Sequence, residues 1–263
     1  MNEVPGSRYA AGLCSASFRN RDVEAIIALA LESRLCGIEW SSETHAPVGD
    51  WKAAANIRRL CERAGVRPAS YGTYLRAGEG NERSYLAAIV DTAWTLGVAN
   101  IRIWGGPRGI GSAAAGAQVF AAAVAEIRWI CDLAAARGLK ISLEFHADTL
   151  VDTGPAADRL LQVVSHEALF TYWQPTPGVT LQTAQEELAL LAPRLSHMHV
   201  FSRDKERRRH PLSSAGAFWT QLLAHVKPSA AWLSPAFAMI EFVKDDDPAY
   251  LSLDAAFLHS VIG

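Results

Sequence analysis

Residues 138–146, GLKISLEFH, decide how this chain is read. Gly138 suits the left-handed residue that closes a helix, and an alternating strand-like run begins two residues later. So short a step from helix to strand is what an αβ connection requires. Within the run, Ile141, Leu143 and Phe145 share one face, while Ser142, Glu144 and His146 share the other. The first face is built to pack on helices. The second points into an interior that has to hold a hydroxyl, a carboxylate and an imidazole.

The same beat of strand, polar loop and amphipathic helix recurs in both directions. Strand candidates fall at 10–15, 37–40, 67–72, 100–104, 140–145, 169–173, 195–201 and 236–242. Helical patterns fill 21–34, 51–64, 82–96, 113–137, 155–165, 180–192, 214–225 and 248–261. Asp50 and Pro155 mark helix starts, and Gly65, Gly97 and Gly138 mark helix ends. Strict alternation of strands and helices argues for a parallel sheet. Eight such units in 263 residues fit a closed (β/α)8 TIM barrel, a fold of about 250 residues, better than an open doubly wound sheet. No linker, low-complexity tract or change of composition divides the chain. Residues 1–263 are therefore expected to form one barrel domain of the α/β class.

Composition removes several function classes. The net charge of −2 lacks the basic surface that nucleic acid requires. No apolar run approaches the roughly 18 residues of a membrane span. The N-terminal stretch MNEVPGSRYAAGL has no basic segment followed by an apolar one, so a cytoplasmic protein is expected. Cys14, Cys36, Cys61 and Cys131 are scattered without C-x-x-C spacing, and read as buried small hydrophobes in a reducing compartment. Neither G-x-G-x-x-G nor G-x-x-x-x-G-K follows the first strand, so nucleotide binding has no support.

Active sites of such barrels form at the C-terminal ends of the strands. There the alternation turns Glu144 inward from strand five, and Glu241 inward from strand eight beside Met239. Strand seven, within LSHMHVFSRD (195–204), is read with His197, His199 and Phe201 inward and Ser196, Met198 and Val200 outward. Inward carboxylates are costly unless they are paired or bind a cation. Glu144 and Glu241 around His199 suggest one divalent metal, and the mixed oxygen and nitrogen set suits Mn²⁺, Co²⁺ or Mg²⁺, and Zn²⁺ less specifically. The alternative is a hydrogen-bonded polar plug without metal. Strand six ends in TYWQP and supplies Gln174 instead of an acid, either as a fourth ligand or as a cap on backbone groups. Tyr71, Trp104 and His146, at or just beyond strand ends, are candidate substrate contacts, as is His197 one layer deeper. Glu39 is either a structural buried carboxylate held by hydrogen bonds or a substrate contact, and His45 a contact to substrate hydroxyls or a solvated loop residue. Trp40, Trp104 and Trp173 close strands two, four and six, and at least one is expected to line the pocket. RDKERRRH (203–210) reads as a solvated ion-pair loop, or as one from which Arg207 or Arg209 reaches the substrate.

The stretches GIEWSSETHAPVGD, ASYGTYLRAG, NIRIWGG, SLEFHADTLVDT, TYWQP and HMHVF resemble the sugar phosphate isomerase/epimerase superfamily with xylose-isomerase-like TIM barrels. The resemblance spans nearly the whole chain. It implies one divalent metal held from strands five to eight by Glu144, the position near Gln174, His199 and Glu241, with His197 a neighbouring polar position that contacts substrate. The chain departs from that pattern at strand six, where the usual acid is missing. The resemblance also implies a small carbohydrate substrate and a metal-dependent isomerase or epimerase, with Glu144 and Glu241 moving a proton through an enediolate. The runner-up is a lyase or dehydratase acting on a keto-sugar, keto-glycoside or inositol. A non-catalytic sugar-binding barrel and an AP-endonuclease-like repair enzyme stand behind these. A homo-oligomer is compatible with all of them.

Overall fold

The computed structural model describes residues 9–232 and 234–262. Most of the N-terminal stretch read for a secretion signal lies outside them. Elements follow in the order β1 (Ala10–Cys14), α1 (Val23–Glu32), β2 (Gly37–Ser41), α2 (Trp51–Ala64), β3 (Arg67–Arg76), α3 (Arg83–Leu96), β4 (Asn100–Trp104) and α4 (Ala117–Ala135). The second half contains β5 (Lys140–Glu144), α5 (Gly154–Val164), β6 (Leu169–Trp173), α6 (Leu181–Leu191), β7 (Leu195–Val200), α7 (Gly216–His225), β10 (Phe237–Ile240) and α8 (Pro248–Ile262). Parallel pairing in the order β1-β10-β7-β6-β5-β4-β3-β2 closes the sheet into the expected barrel. A two-residue antiparallel ribbon, β8 (Ser202–Arg203) with β9 (Arg209–His210), folds the charge run back on itself.

Local chemistry fixes the helix ends. Asp50 accepts from the Ala53 N–H at the start of α2, and Gly65 and Gly97 close α2 and α3 with φ of +71° and +78°. The start of α5 is capped by Thr153, with Pro155 in the first turn. Among the described residues no helix is long and apolar enough to cross a membrane. All four cysteines are free; Cys14, Cys61 and Cys131 are buried as expected, but Cys36 is exposed.

Two strands depart from simple alternation, and both departures matter to the site. β3 runs on to Arg76, and its register to β2 shifts beside Ile38 and Glu39. β7 carries an extra residue against β6, because Thr171 and Trp173 face Leu195 and Met198. Ser196 was expected to face outward. That bulge instead brings its Oγ to 2.8 Å from Ser142 Oγ inside the barrel.

The interior is layered. Ala69, Tyr172, Phe237 and Met239 form a small apolar cluster inside the barrel. A Cβ on Gly37 would overlap the Phe237 ring, so glycine is required there. The Tyr172 hydroxyl links this cluster to a set of hydroxyl and amide groups. Asn100 Nδ2 donates to Ser70 Oγ at 3.0 Å and to the Tyr172 hydroxyl at 3.3 Å, and Ser142 Oγ donates to Asn100 Oδ1 at 2.7 Å. The charged groups lie above that, at the C-terminal ends of the strands.

Candidate active site

Five charged or titratable side chains converge there: Glu39 from β2, Arg102 from β4, Glu144 from β5, His199 from β7 and Glu241 just past β10. All five are buried. Arg102 bridges two carboxylates, donating from Nε to Glu39 Oε1 at 3.1 Å and from Nη1 to Glu144 Oε2. Gly72 makes room for this bridge, since a Cβ there would stand 2.8 Å from both Arg102 Nη2 and Glu39 Oε1.

His199 divides the cluster with its two ring nitrogens. Nε2 lies 3.2 Å from Glu39 Oε1. Nδ1 faces three oxygens: Gln174 Oε1 at 2.9 Å, Glu241 Oε2 at 3.5 Å and Glu144 Oε1 at 3.8 Å. One N–H serves one acceptor, and Glu241 Oε2 is buried without a hydrogen-bond partner. Two ligands at right angles on an octahedral cation, each about 2.1 Å from it, stand about 3 Å apart. The Gln174 oxygen stands at that spacing from Nδ1, and the two carboxylates stand further off. Charge favours a cation. Three carboxylates against one guanidinium leave the cluster at −2 when His199 is neutral, which a divalent ion cancels. With Nδ1 turned to a cation, Nε2–H donates to Glu39, an orientation typical of metal-bound histidine. The group whose ligand atoms lie within 4.8 Å of one another is Cys14, Glu39 and His199, all buried, while Gln174, Glu144 and Glu241 stand on the Nδ1 side of the same imidazole.

Electrostatics in the cation-free cluster follow from burial and these neighbours. Burial pulls the His199 imidazole down, but Glu241, Glu39 and Glu144 outweigh it and hold it up at about 9. Burial would raise Glu39, yet Arg102 and His199 keep its carboxyl well below the usual range. Glu241 is raised, chiefly by burial, despite the opposing pull of His199.

The other candidates divide. His146 and Trp104 stand at the mouth, stacked with centroids 4.5 Å apart, and His146 Nδ1 donates to the Ala147 carbonyl. Arg207 lines a cavity of about 280 Å³ beside Gln174, with Phe145, His146, Phe201, Arg203 and Phe242. Three other basic groups of the 203–210 run turn to acids, Arg208 and His210 to Asp204 and Arg209 to Asp246, whereas Arg203 donates to the Arg207 carbonyl and stacks over Phe242. Glu39 is not a surface contact: it is fully covered, beneath the imidazole. Tyr71 faces the helices, because Gly72 takes the inward position, and its hydroxyl donates to the Ala46 carbonyl at 2.7 Å. His45 is pinned at the Arg21 carbonyl, 3.1 Å from Nε2, and packs edge-on to Trp40. His197 lies too deep to meet a ligand at the mouth. Its Nδ1 accepts from the Phe237 N–H at 2.9 Å, its ring packs on Tyr172 and Trp232, and burial pushes it down to about 3. Of the three strand-closing tryptophans, Trp40 and Trp173 are wholly buried, and Trp173 Nε1 donates to Glu187 on α6.

Arg102 was missed by sequence reasoning, although NIRIW shows it: alternation sets Asn100 and Arg102 opposite Ile101 and Ile103. Cys14, whose Sγ lies 3.5 Å from Glu39 Oε1, was read only as a small hydrophobe.

A closed parallel barrel with a polar cluster on the C-terminal ends of its strands defines the class as a TIM barrel with its site in the usual place for that fold. The sequence profile of the Xylose isomerase-like TIM barrel family matches residues 29–238, and the chain belongs to that family. No protein of curated function matches by sequence. Among solved structures, the probable 3-DHS dehydratase AsbF from Bacillus anthracis is 19% identical, with 95% of this chain and 98% of that chain covered and a TM-score of 0.73. The D-psicose 3-epimerase from Clostridium cellulolyticum, solved with D-tagatose, is 12% identical over 96% and 99% of the two chains, with a TM-score of 0.70. The IOLI protein with a bound zinc atom is 13% identical over 96% and 98%, with a TM-score of 0.69. At these identities the likeness is one of fold.

Proposed function

We propose that the protein is a divalent-metal-dependent isomerase or epimerase acting on a sugar or sugar derivative in the cytoplasm. The observation that carries this reading is the convergence of Gln174, Glu144 and Glu241 oxygens on His199 Nδ1, with Glu241 Oε2 unpartnered. Those four residues would hold the ion, with Mn²⁺ the preferred occupant of such a mixed set. Bound there, it would supply Lewis acidity toward a carbonyl and its neighbouring hydroxyl.

The remaining work falls to the chain's own side chains. Glu144 and Glu241 reach the cluster from separate strands and flank a substrate seated between them. One takes the proton from the carbon next to the carbonyl and the other returns it, through an enediolate. Arg102, bonded to Glu144 Oε2, fixes which oxygen of that carboxylate faces the reaction. Glu39 orients His199 from below. With a leaving group next to the enediolate, the same groups would carry out elimination. The fold likeness to a probable dehydratase keeps a lyase reading beside the preferred one.

The test is turnover of ketoses, keto-glycosides and inososes with Mn²⁺ in deuterated water, followed by NMR. Deuterium is expected at the carbon next to the carbonyl in at least one substrate, and Glu144→Gln or Glu241→Gln should abolish it. Full exchange retained in both variants sinks the mechanism.

A further inference from the structure

Arg76, the last residue of β3, is only 8% exposed. Its side chain makes no hydrogen bond or ion pair among the described residues. Its guanidinium carbon stands 3.5 Å from the centroid of the Trp104 ring. At that distance the group must lie flat on the indole, which leaves its in-plane N–H donors directed sideways. His146 stacks on the same indole at 4.5 Å. Two planar groups cannot share one face at such distances, so Trp104 is held between them and Arg76 is locked in place.

The acids near Arg76 are engaged elsewhere. Glu144 is bonded to Arg102 and turned to His199, and Glu79 Oε1 accepts the Arg108 N–H at 2.8 Å. Arg108 adds a second positive charge close enough to act on Arg76. A well-covered guanidinium with unused donors is costly unless something pairs with them. Arg76 ends β3 in register with Trp104 at the end of β4, and Trp104 is in turn in register with Glu144 at the end of β5. A planar fork pre-ordered by stacking is the geometry that takes carboxylate or phosphate through two parallel hydrogen bonds.

We propose that Arg76 anchors an oxyanion of the substrate, so that the molecule handled at the cluster is a sugar acid or a sugar phosphate rather than a neutral sugar. This rests on the reading of the cluster given above. Trp104 then acts as the platform that aims the anchor, with both faces occupied, and does not stack on the sugar ring itself.

The experiment titrates metal-free protein with inorganic phosphate and, separately, with malonate, using glucose as the uncharged control. Binding is read by calorimetry and by the arginine Nε–Hε NMR signal that disappears in Arg76→Lys. Mn²⁺ binding is measured on the same preparations. One oxyanion should bind saturably and shift that signal, while glucose leaves it unmoved. Arg76→Gln should weaken the binding at least tenfold and Arg76→Lys should restore part of it, with Mn²⁺ affinity unchanged in both. Phosphate alone points to a sugar phosphate, and malonate alone to a sugar acid. The proposal is overturned if neither anion moves the signal, or if Arg76→Gln binds them as well as the natural chain. Loss of Mn²⁺ binding in the natural chain would instead overturn the cluster reading, which keeps the two failures distinct.

Discussion

Replacing Arg102 by Met keeps the length of the side chain and removes the guanidinium that joins Glu39 to Glu144. The three side chains are 5%, 1% and 5% exposed, so water cannot take over its role. Removing one partner of such a buried pair costs about 3–5 kcal/mol, because the remaining charge stays buried. At roughly 2–4 °C per kcal/mol for a chain of this size, Tm should fall by roughly 6–20 °C. The loss should also depend on pH, with a definite sign. In the natural chain Glu39 is held below its ordinary 4.5, so its contribution is present above that value and lost only as pH falls through the depressed one. Without Arg102, burial moves the carboxyl upward, and the penalty then grows as pH rises. Thermal melts of metal-free protein at pH 8 and pH 5 should therefore show the larger deficit at pH 8. A Tm within about 2 °C of the natural chain at pH 8, less than about 1 kcal/mol, would refute the reasoning.

Two further outcomes follow from the same cluster. Glu39→Gln replaces the carboxylate behind His199 Nε2 by a neutral amide and should weaken Mn²⁺ binding by about 10–100-fold, read by metal titration at constant pH. His199, raised from 6.5 to about 9 without metal, stabilises the fold fully below 6.5 and loses that contribution as pH rises to 9. The urea midpoint of chelator-treated protein should fall across that window, and His199→Asn should flatten the fall; an equal slope in both proteins contradicts the assignment.

The alternation of strands and helices was legible throughout, because each barrel strand is short and apolar on at least one face. Glu144, His199 and Glu241 were legible for the same reason: each ends its strand on the inward parity. The errors arose where a strand runs on or its parity is reset. Tyr71 stands near a strand end only if β3 stops at Gly72, whereas β3 continues to Arg76. Ser196 and His197 straddle the extra residue of β7, which depends on pairing with β6 and leaves no mark in the residues themselves. Loop residues such as His45 were beyond reach, since the carbonyl that holds it belongs to Arg21, distant in sequence. Arg102 was a different omission: its pattern was present, but a lone positive charge between isoleucines was passed over for the tryptophan that follows.

The apolar cluster of Ala69, Tyr172, Phe237 and Met239 fills part of the barrel interior, and its Tyr172 ring packs edge-on to His199, so the charged groups rest on a packed floor. Under the proposed function, a ligand would reach those groups from the rim at the C-terminal ends of the strands. A molecule seated there would then have to leave before the next could enter, passing Arg76 and His146 where they stack on Trp104.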